Sequence, residues 1–232
     1  MLSLVNIGNI YYNDFVERRR SMEPSFQRAK SQENKNIRLQ QIMNITDQLF
    51  HQKTYHEITL SVISKELKLA RGGLYKYVSS KEEIFLLIYL QKEKAFIDDL
   101  CLELQDQPLT IDSLSSTIAA VFYKHLDFIK YHQILNAIIE TNVSIEKLAE
   151  FKKENNIIIN QLHDAVNTLL NIDEKAFFNS YLTIVYHCVY LYDRVAYADT
   201  YVKAMEIAGL CIDDIDFIDE LTKFVKLIFT NP

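Results

Sequence analysis

Apolar residues recur at helical spacing along most of this 232-residue chain. Between residues 25 and 52, a stripe is formed by Ile37, Gln41 and Ile45 and by Ile42 and Leu49. This spacing is helical, whereas a strand would alternate apolar and polar positions. We therefore predict that the first helix of the chain spans residues 25–52.

Two short helices are predicted next. Apolar residues at i, i+3 and i+7 indicate a helix from Leu60 to Leu67, and the hydroxyl of Thr59 can cap its first turn. Lys68 and Leu69 form a turn, and two apolar residues four positions apart indicate a second helix, Ala70–Val78. Two short helices joined by a tight turn, with basic residues in the second, are typical of a helix-turn-helix.

The rest of the chain is also predicted to be helical. Residues 79–83 offer two overlapping capping boxes, Ser79 with Glu82 and Ser80 with Glu83, for a long helix that runs to about Leu104. Pro108 breaks this pattern. Later helices are predicted from Thr110 or Asp112 to about Tyr131, over 133–140, from Asn142 or Ser144 to about Leu170, over 173–197 and over 214–229. The predicted fold class is all-α.

Composition supports the all-α fold class and indicates where the protein is located. Four glycines and three prolines are too few for the many tight turns of a sheet-rich fold. No apolar run approaches the ~18 residues of a membrane span, and the first residues do not resemble a signal peptide. Three cysteines, an odd number without metal-ligand spacing, are typical of a reduced compartment. We expect a cytoplasmic protein that binds no membrane, metal or cofactor.

Charge is unevenly distributed along the chain, whose net charge is −6. Residues 24–81 contain ten Lys and Arg against four Asp and Glu, whereas residues 82–232 contain twelve against twenty-four. A basic segment ahead of an acidic one indicates that the first part meets a polyanion, although such asymmetry also arises by chance.

The first 24 residues show little periodicity, and we expect them to be poorly ordered. Arg18–Arg20 stand just before Met22, and a purine-rich ribosome-binding site read in frame would encode Arg-Arg. One interpretation is therefore that translation starts at Met22. The other is that residues 1–24 form a basic arm.

The stretch ARGGLYKYVSSKEE, residues 70–83, contains two of the four glycines side by side. At the start of the second helix of a helix-turn-helix, glycines remove side chains that would hold the backbone away from DNA. Tyr75 and Tyr77 can then offer hydroxyl groups to phosphates. The alternative is that both tyrosines are half-buried packing residues.

This region resembles the N-terminal domain of the TetR family of transcriptional repressors over residues 36–90. The family's spacing is matched by Phe50, Tyr55, Thr59, Ile63, Gly72, Leu74, Tyr75, Tyr77, Ser80, Lys81, Glu82, Glu83 and Ile84. Lys68 departs from the usual turn glycine, Ala70 from the capping serine and Val78 from phenylalanine. The resemblance implies a three-helix DNA-binding head over 25–85 and a larger helical domain over 86–232 for ligand binding and dimerisation.

The resemblance also assigns DNA contacts. Arg71 is the first candidate for base recognition, because a guanidinium fits the edge of guanine, and Lys76 is the second. Gly73 allows a close approach to a base. Phosphate contacts are expected for Thr59, Tyr75, Tyr77 and Lys81. Four basic residues of the first helix offer two interpretations: contacts with flanking phosphates or the minor groove, or a solvated charged face. They are Arg28, Lys30, Lys35 and Arg38.

Beyond the head, the resemblance implies a homodimer on a pseudo-palindromic double-stranded DNA operator and a small-molecule effector of unknown identity. Candidate lining residues for this effector are Phe122, His125, Leu135, Ile138, His163, Tyr181, Tyr186, His187 and Tyr190, although buried aromatic residues are more often core. A ligand-independent regulator or an activator is the alternative. The sequence contains no catalytic or metal motif, so an enzyme is not expected.

Overall fold

The protein is described here by a computed structural model that covers residues 26–105, 108–195, 199–211 and 215–230, without the side chains of residues 26–31, 71, 199 and 200. The predictions for residues 1–24, including the start at Met22, lie outside the described residues. All regular structure in the described part is helical, as predicted. The α-helices are α1 (Phe26–Gln52), α2 (Leu60–Glu66), α3 (Arg71–Leu74), α4 (Lys81–Gln105), α5 (Ile111–Lys124), α6 (Leu126–Ile134), α7 (Ile145–Leu170), α8 (Glu174–Val195), α9 (Asp199–Ile207) and α10 (Phe217–Thr230).

Helices α1–α3 form a small N-terminal head. Thr59 is the N-cap of α2, as predicted, and its hydroxyl accepts a hydrogen bond from the backbone N–H of Val62 at 3.2 Å. Ile63 of α2 and Leu74 of α3 are fully buried, and the two helices pack together. Between them Lys68 adopts a left-handed conformation with φ of 52°, the conformation that glycine would adopt without strain.

The second short helix ends earlier than predicted. Instead of spanning Ala70–Val78, α3 has four residues, and a turn follows it in which Tyr77 N–H bonds the Leu74 carbonyl at 3.0 Å. Ala70 precedes α3 without a capping side chain, and two of the four helical residues are glycines. Both features weaken a helix, so little local stability favours its continuation.

The start of α4 corrects the predicted capping boxes. The Ser80 hydroxyl accepts from the Glu83 N–H at 3.2 Å, as predicted, but the Glu83 carboxylate reaches the backbone and hydroxyl of Ser79 instead. Glu82 accepts a hydrogen bond from the Tyr55 hydroxyl. Glu82 therefore ties the start of α4 to the head rather than capping its own helix.

Helices α4–α10 form the larger body. Helix α4 runs through it and packs against α5, α6 and α7, and α10 lies against α5 and α8. The predicted boundary at residues 85–86 falls inside α4. None of the described helices combines the length and apolar character that a membrane crossing requires.

Two helix boundaries in the body differ from prediction. The helix predicted to reach Tyr131 is interrupted at His125, which adopts φ of −112° and ψ of 36° between α5 and α6. Asp127 accepts the Phe128 N–H at 3.0 Å, which satisfies a donor at the start of the new helix. The helix predicted over 133–140 is the continuation of α6 as a π-helix, Leu135–Ile139.

Other boundaries resolve open choices. Thr110, not Asp112, caps α5, and Ser144, not Asn142, caps α7. The last helix begins at Phe217 because Asp216 accepts the Asp219 N–H at 3.0 Å; the predicted start, residue 214, lies outside the described residues. Helix α9 was not predicted.

Head and body are joined by polar contacts between α1, α4 and α6. Asp47 of α1 accepts hydrogen bonds from Lys92 at 3.0 Å and from the Tyr131 hydroxyl at 2.8 Å. Lys130 donates to the Phe50 carbonyl at 2.6 Å, and the Tyr131 and Phe50 rings meet edge to face. Helix α6 therefore contacts the head directly.

Candidate nucleic-acid interface and buried polar cluster

The surface of the head around α3 is open. Tyr75, in the turn after α3, is 49% exposed, and Lys76 is also exposed. Tyr77 is half-buried and packs against the core. Both tyrosines are predicted to contact phosphates. Tyr75 is exposed enough to do so, whereas part of the Tyr77 ring is used for packing against the core.

The two glycines of α3 are not required by the chain itself. Apart from the neighbouring residues and the backbone of α3 itself, a Cβ atom added to Gly72 or Gly73 would meet no described atom within 4 Å, and neither residue has positive φ. Inside a helix each glycine costs up to about 1 kcal/mol relative to alanine. Since no intramolecular contact in the described residues explains that cost, the space above the glycines is available to a partner.

Lys81 and Thr59 support the local structure. The Lys81 ammonium donates to the carbonyls of Tyr55 at 2.8 Å and Ile58 at 2.9 Å and lies 3.6 Å above the Tyr55 ring, and burial lowers its pKa. An ammonium group has three donors, so a phosphate contact by Lys81 stays a prediction. Thr59, the N-cap of α2, is placed as expected.

The remaining head predictions are only partly covered by the structure. The side chains of Arg71, Arg28 and Lys30 lie outside the described residues. Lys35 is exposed and Arg38 is half-buried on α1. Their DNA contacts stay predictions.

A carboxyl group lies in the centre of the body. Glu93 of α4 is fully buried, and three groups donate to it: the Tyr181 hydroxyl at 3.0 Å, the Tyr89 hydroxyl at 3.4 Å and the Asn155 amide. Burial raises the pKa of Glu93 to about 8, against the lowering effect of these hydrogen bonds. The group is therefore mainly protonated at neutral pH.

His132 of α6 extends this cluster. Its Nδ1 lies 2.9 Å from the Tyr89 hydroxyl, whereas its Nε2 is buried without a hydrogen-bond partner in the described part of the chain. The residue is 4% exposed, and burial lowers its pKa to about 4, so the imidazole is neutral. The Tyr186 ring packs edge to face against it, with centroids 5.2 Å apart. We call Glu93, Tyr89, His132, Asn155 and Tyr181 the Glu93 cluster.

An apolar cavity lies next to this cluster. It encloses about 10 Å³ of free space, room for about one water molecule, and its walls include Phe96, Phe122, Phe177, Tyr181 and Ile184. Tyr181 belongs to both sites, because its ring lines the cavity and its hydroxyl bonds Glu93.

The nine predicted effector residues do not form one pocket. Phe122 and Tyr181 line the cavity, and Tyr186 packs on His132. In the π-helix, Leu135 is part of the core and Ile138 packs against it.

The three histidines have other partners. His125 bonds Asp99 at 3.1 Å, chiefly lowering the pKa of that carboxyl, and His163 bonds the Ile172 carbonyl at 2.9 Å. His187 and Tyr190 lie on the outer face of α8, where His187 stacks on Phe224.

Sequence reasoning missed Glu93, Tyr89, His132 and Asn155. A signal for Glu93 was present, because it follows Leu86 by seven residues and precedes Ile97 by four, which places it on the apolar stripe of α4. The same kind of spacing marks Asn155, which follows Phe151 by four residues and precedes Ile159 by four, and His132, which follows Phe128 by four. No group of three or more metal-ligating side chains occurs in the described residues.

The fold and these sites define a class of protein, a helix-turn-helix DNA-binding regulator with a second helical domain. Residues 42–88 match the bacterial regulatory proteins of the tetR family, and residues 90–230 match the tetracyclin repressor-like C-terminal domain. The chain therefore belongs to the TetR family of transcriptional regulators.

Solved structures share the fold at low sequence identity. The fatty acid degradation regulator FadR from Bacillus halodurans is 17% identical with a TM-score of 0.52, over 83% of this chain and 94% of that one. The TetR family regulator PfmR from Thermus thermophilus is 15% identical with a TM-score of 0.50, over 82% and 97%. A search of curated proteins gave no match.

Proposed function

We propose that this protein is a ligand-responsive repressor that acts in the cytoplasm and binds a pseudo-palindromic DNA operator as a homodimer. The observation that carries the proposal is the pair of glycines in α3, Gly72 and Gly73. An added Cβ at either glycine meets no atom of the described residues beyond its chain neighbours and its own helix backbone, and a DNA backbone or base edge needs such space. A helix-turn-helix presents this helix to the major groove.

Exposed apolar residues on α8 and α10 support dimerisation. Tyr190 is 51% exposed and Leu227 is 59% exposed. Between them His187 and Phe224 stack at 3.8 Å between ring centroids, and these four residues form what we call the α8–α10 patch. Exposed apolar patches are typical of protein interfaces. In a two-fold symmetric dimer, each of the two heads would bind one half of a palindromic operator.

Helix α6 supports a ligand response, because consecutive residues on it contact the head and the Glu93 cluster. Lys130 and Tyr131 bond α1, whereas His132 bonds Tyr89. A ligand that favours one position of α6 would therefore favour one position of the head. The π-helix at the end of α6 is a local irregularity of the kind often found at functional sites.

The first prediction concerns DNA binding by the Gly73→Ala variant. The added methyl group clashes with none of the described residues, so the free energy of unfolding should stay equal or rise by up to about 1 kcal/mol. Affinity for DNA taken from beside the gene should fall by about tenfold or more, because the methyl group occupies the space needed by the partner. Fluorescence anisotropy and urea unfolding measure the two effects.

Arg71→Ala is the companion variant, expected to lose about 1–3 kcal/mol of binding. A steep decrease of wild-type affinity with salt would indicate phosphate contacts. DNA affinity unchanged in both variants would contradict the proposed role of α3. Release of bound DNA by a small molecule would distinguish the ligand-responsive repressor from a ligand-independent regulator, and the effect on transcription would distinguish it from an activator.

A further inference from the structure

The Glu93 cluster contains a buried carboxyl group without a cationic partner. The groups that bond Glu93 are two phenols and an amide, all of them uncharged. The cation that acts on it, Lys152, is itself paired with Glu140 at 2.6 Å. A buried carboxylate is costly unless a cation compensates it, so in the described part of the chain Glu93 lacks the partner that its ionised form requires.

The unpartnered Nε2 of His132 responds to the ionisation of Glu93. When Glu93 is ionised, the Tyr89 O–H donates to it, so the neutral imidazole donates from Nδ1 to the Tyr89 oxygen. Nε2 is then a bare acceptor. When Glu93 is protonated, Tyr89 is free to donate to Nδ1, and Nε2 carries the proton. Ionisation of Glu93 therefore converts the buried Nε2 from a donor into an acceptor.

We propose that Glu93 and His132 form the polar end of an effector site for an amine-bearing cation with an apolar tail, an inference that rests on the proposed ligand response. The ammonium group donates to Nε2 of His132, and its charge compensates ionised Glu93. The Tyr186 ring lies beside the His132 imidazole, and aromatic rings attract cations. A carboxylate ligand would instead leave Glu93 protonated and its own buried charge uncompensated, because Lys152, the cation that acts on the cluster, is already paired with Glu140.

The tail is accommodated through Tyr181. Its ring borders the cavity, whose apolar walls suit an alkyl tail. Because the cavity encloses only about 10 Å³ of free space, a tail displaces side chains of α4, α5 and α8 when it binds. Binding is thus linked to the positions of the helices around the cavity.

Proton release accompanies binding in this proposal. With a pKa of about 8, roughly nine in ten Glu93 groups are protonated at pH 7, so cation binding releases close to one proton per site to the buffer. Amine affinity therefore rises nearly tenfold per pH unit between pH 6 and 7. The titratable groups facing the cluster are Tyr89 on α4, His132 on α6, Glu140 after the π-helix, Lys152 on α7, and Tyr181, Tyr186 and Cys188 on α8.

Isothermal titration of the full chain with octylamine tests the proposal, with octanoate and octyltrimethylammonium as comparison probes. Octylamine should bind at least about tenfold more tightly than octanoate. Octyltrimethylammonium should bind more weakly than octylamine, since it has no N–H to donate to His132. Titrations in two buffers of different ionisation enthalpy count the protons released.

Glu93→Gln is the decisive variant. It keeps an acceptor oxygen and similar size but cannot ionise, so octylamine binding should weaken by about tenfold or more and proton release should vanish. Asp98→Asn makes the corresponding carboxyl-to-amide change at an exposed position of α4 and should change neither quantity. If Glu93→Gln does not fold, the proton count of the wild type still decides. Octanoate binding as tight as octylamine binding, or octylamine binding without proton release, would overturn the proposal.

The proposed function is tested separately, because these titrations contain no DNA. DNA binding in the anisotropy assay without preferential octylamine binding would refute the amine site and leave the regulator intact. Octylamine binding by a protein that binds no DNA would do the reverse.

Discussion

At the scale of a single residue, Glu93 makes the stability of the protein depend on pH. Its pKa is raised from 4.5 in a free side chain to about 8, so the folded state holds a proton that the unfolded state loses between these values. The contribution of Glu93 is most favourable below pH 4.5 and is lost as pH rises towards 8, by about 4 kcal/mol. Glu93→Gln should therefore gain stability relative to wild type between pH 5 and 8.

Urea unfolding of both proteins at pH 5, 6, 7 and 8 measures this difference. His132 acts in the opposite direction, because its lowered pKa of about 4 costs stability as pH falls from 6.5. That contribution is common to both proteins and cancels. A difference between variant and wild type that does not change with pH would mean that Glu93 has an ordinary pKa.

The same residue shows what sequence could predict. The apolar stripe of α4 contains Glu93, so its burial could be inferred from spacing alone. Its hydrogen-bond partners could not, because Asn155 and Tyr181 come from helices 62 and 88 residues further along the chain. Predicting them requires the packing of α4 against α7 and α8, which local periodicity does not determine.

At the scale of an element, the turn between α2 and α3 is strained by Lys68. A residue with a side chain loses about 1 kcal/mol or more in the left-handed conformation, whereas glycine does not. Lys68→Gly also makes the unfolded chain more flexible, which offsets part of the gain. We expect a net rise of about 0.5 kcal/mol in the free energy of unfolding, measured by urea unfolding.

Lys65→Gly is the matched control. Lys65 is also exposed, but it lies in α2 with helical geometry, where glycine costs up to about 1 kcal/mol. The same substitution three residues apart should thus change stability in opposite directions. Equal destabilisation by both variants would show that Lys68 is not strained.

Helix boundaries were predictable where a capping side chain determines them, as at Thr59 and Ser144. They were not predictable at His125, because no Pro or Gly marks the break between α5 and α6. Nor could spacing reveal that α3 stops at Leu74, since two apolar residues four apart, Leu74 and Val78, are both buried even though a turn separates them. Apolar spacing reports burial more reliably than it reports helix length.

At the scale of the whole molecule, the division into a head and a body follows from charge and pattern, but the connection between them does not. Asp47, Lys92 and Tyr131 meet at the junction, and each belongs to a different helix. Because α6 bonds α1 at this junction, a shift of α6 would move α1. The sequence indicated the two functions, and only the structure indicates how one could act on the other.

The proposed dimer is tested on the α8–α10 patch by Leu227→Glu. Leu227 is exposed, so the monomer fold should tolerate the change, whereas burying an unpaired carboxylate in an interface should weaken the dimer by about a hundredfold or more. Sedimentation at micromolar concentration should show a dimer for wild type and a monomer for the variant, with weaker DNA binding. Ile145→Glu, on α7 at an 82% exposed position, should remain dimeric. A wild type that sediments as a monomer with and without DNA would reject the dimer.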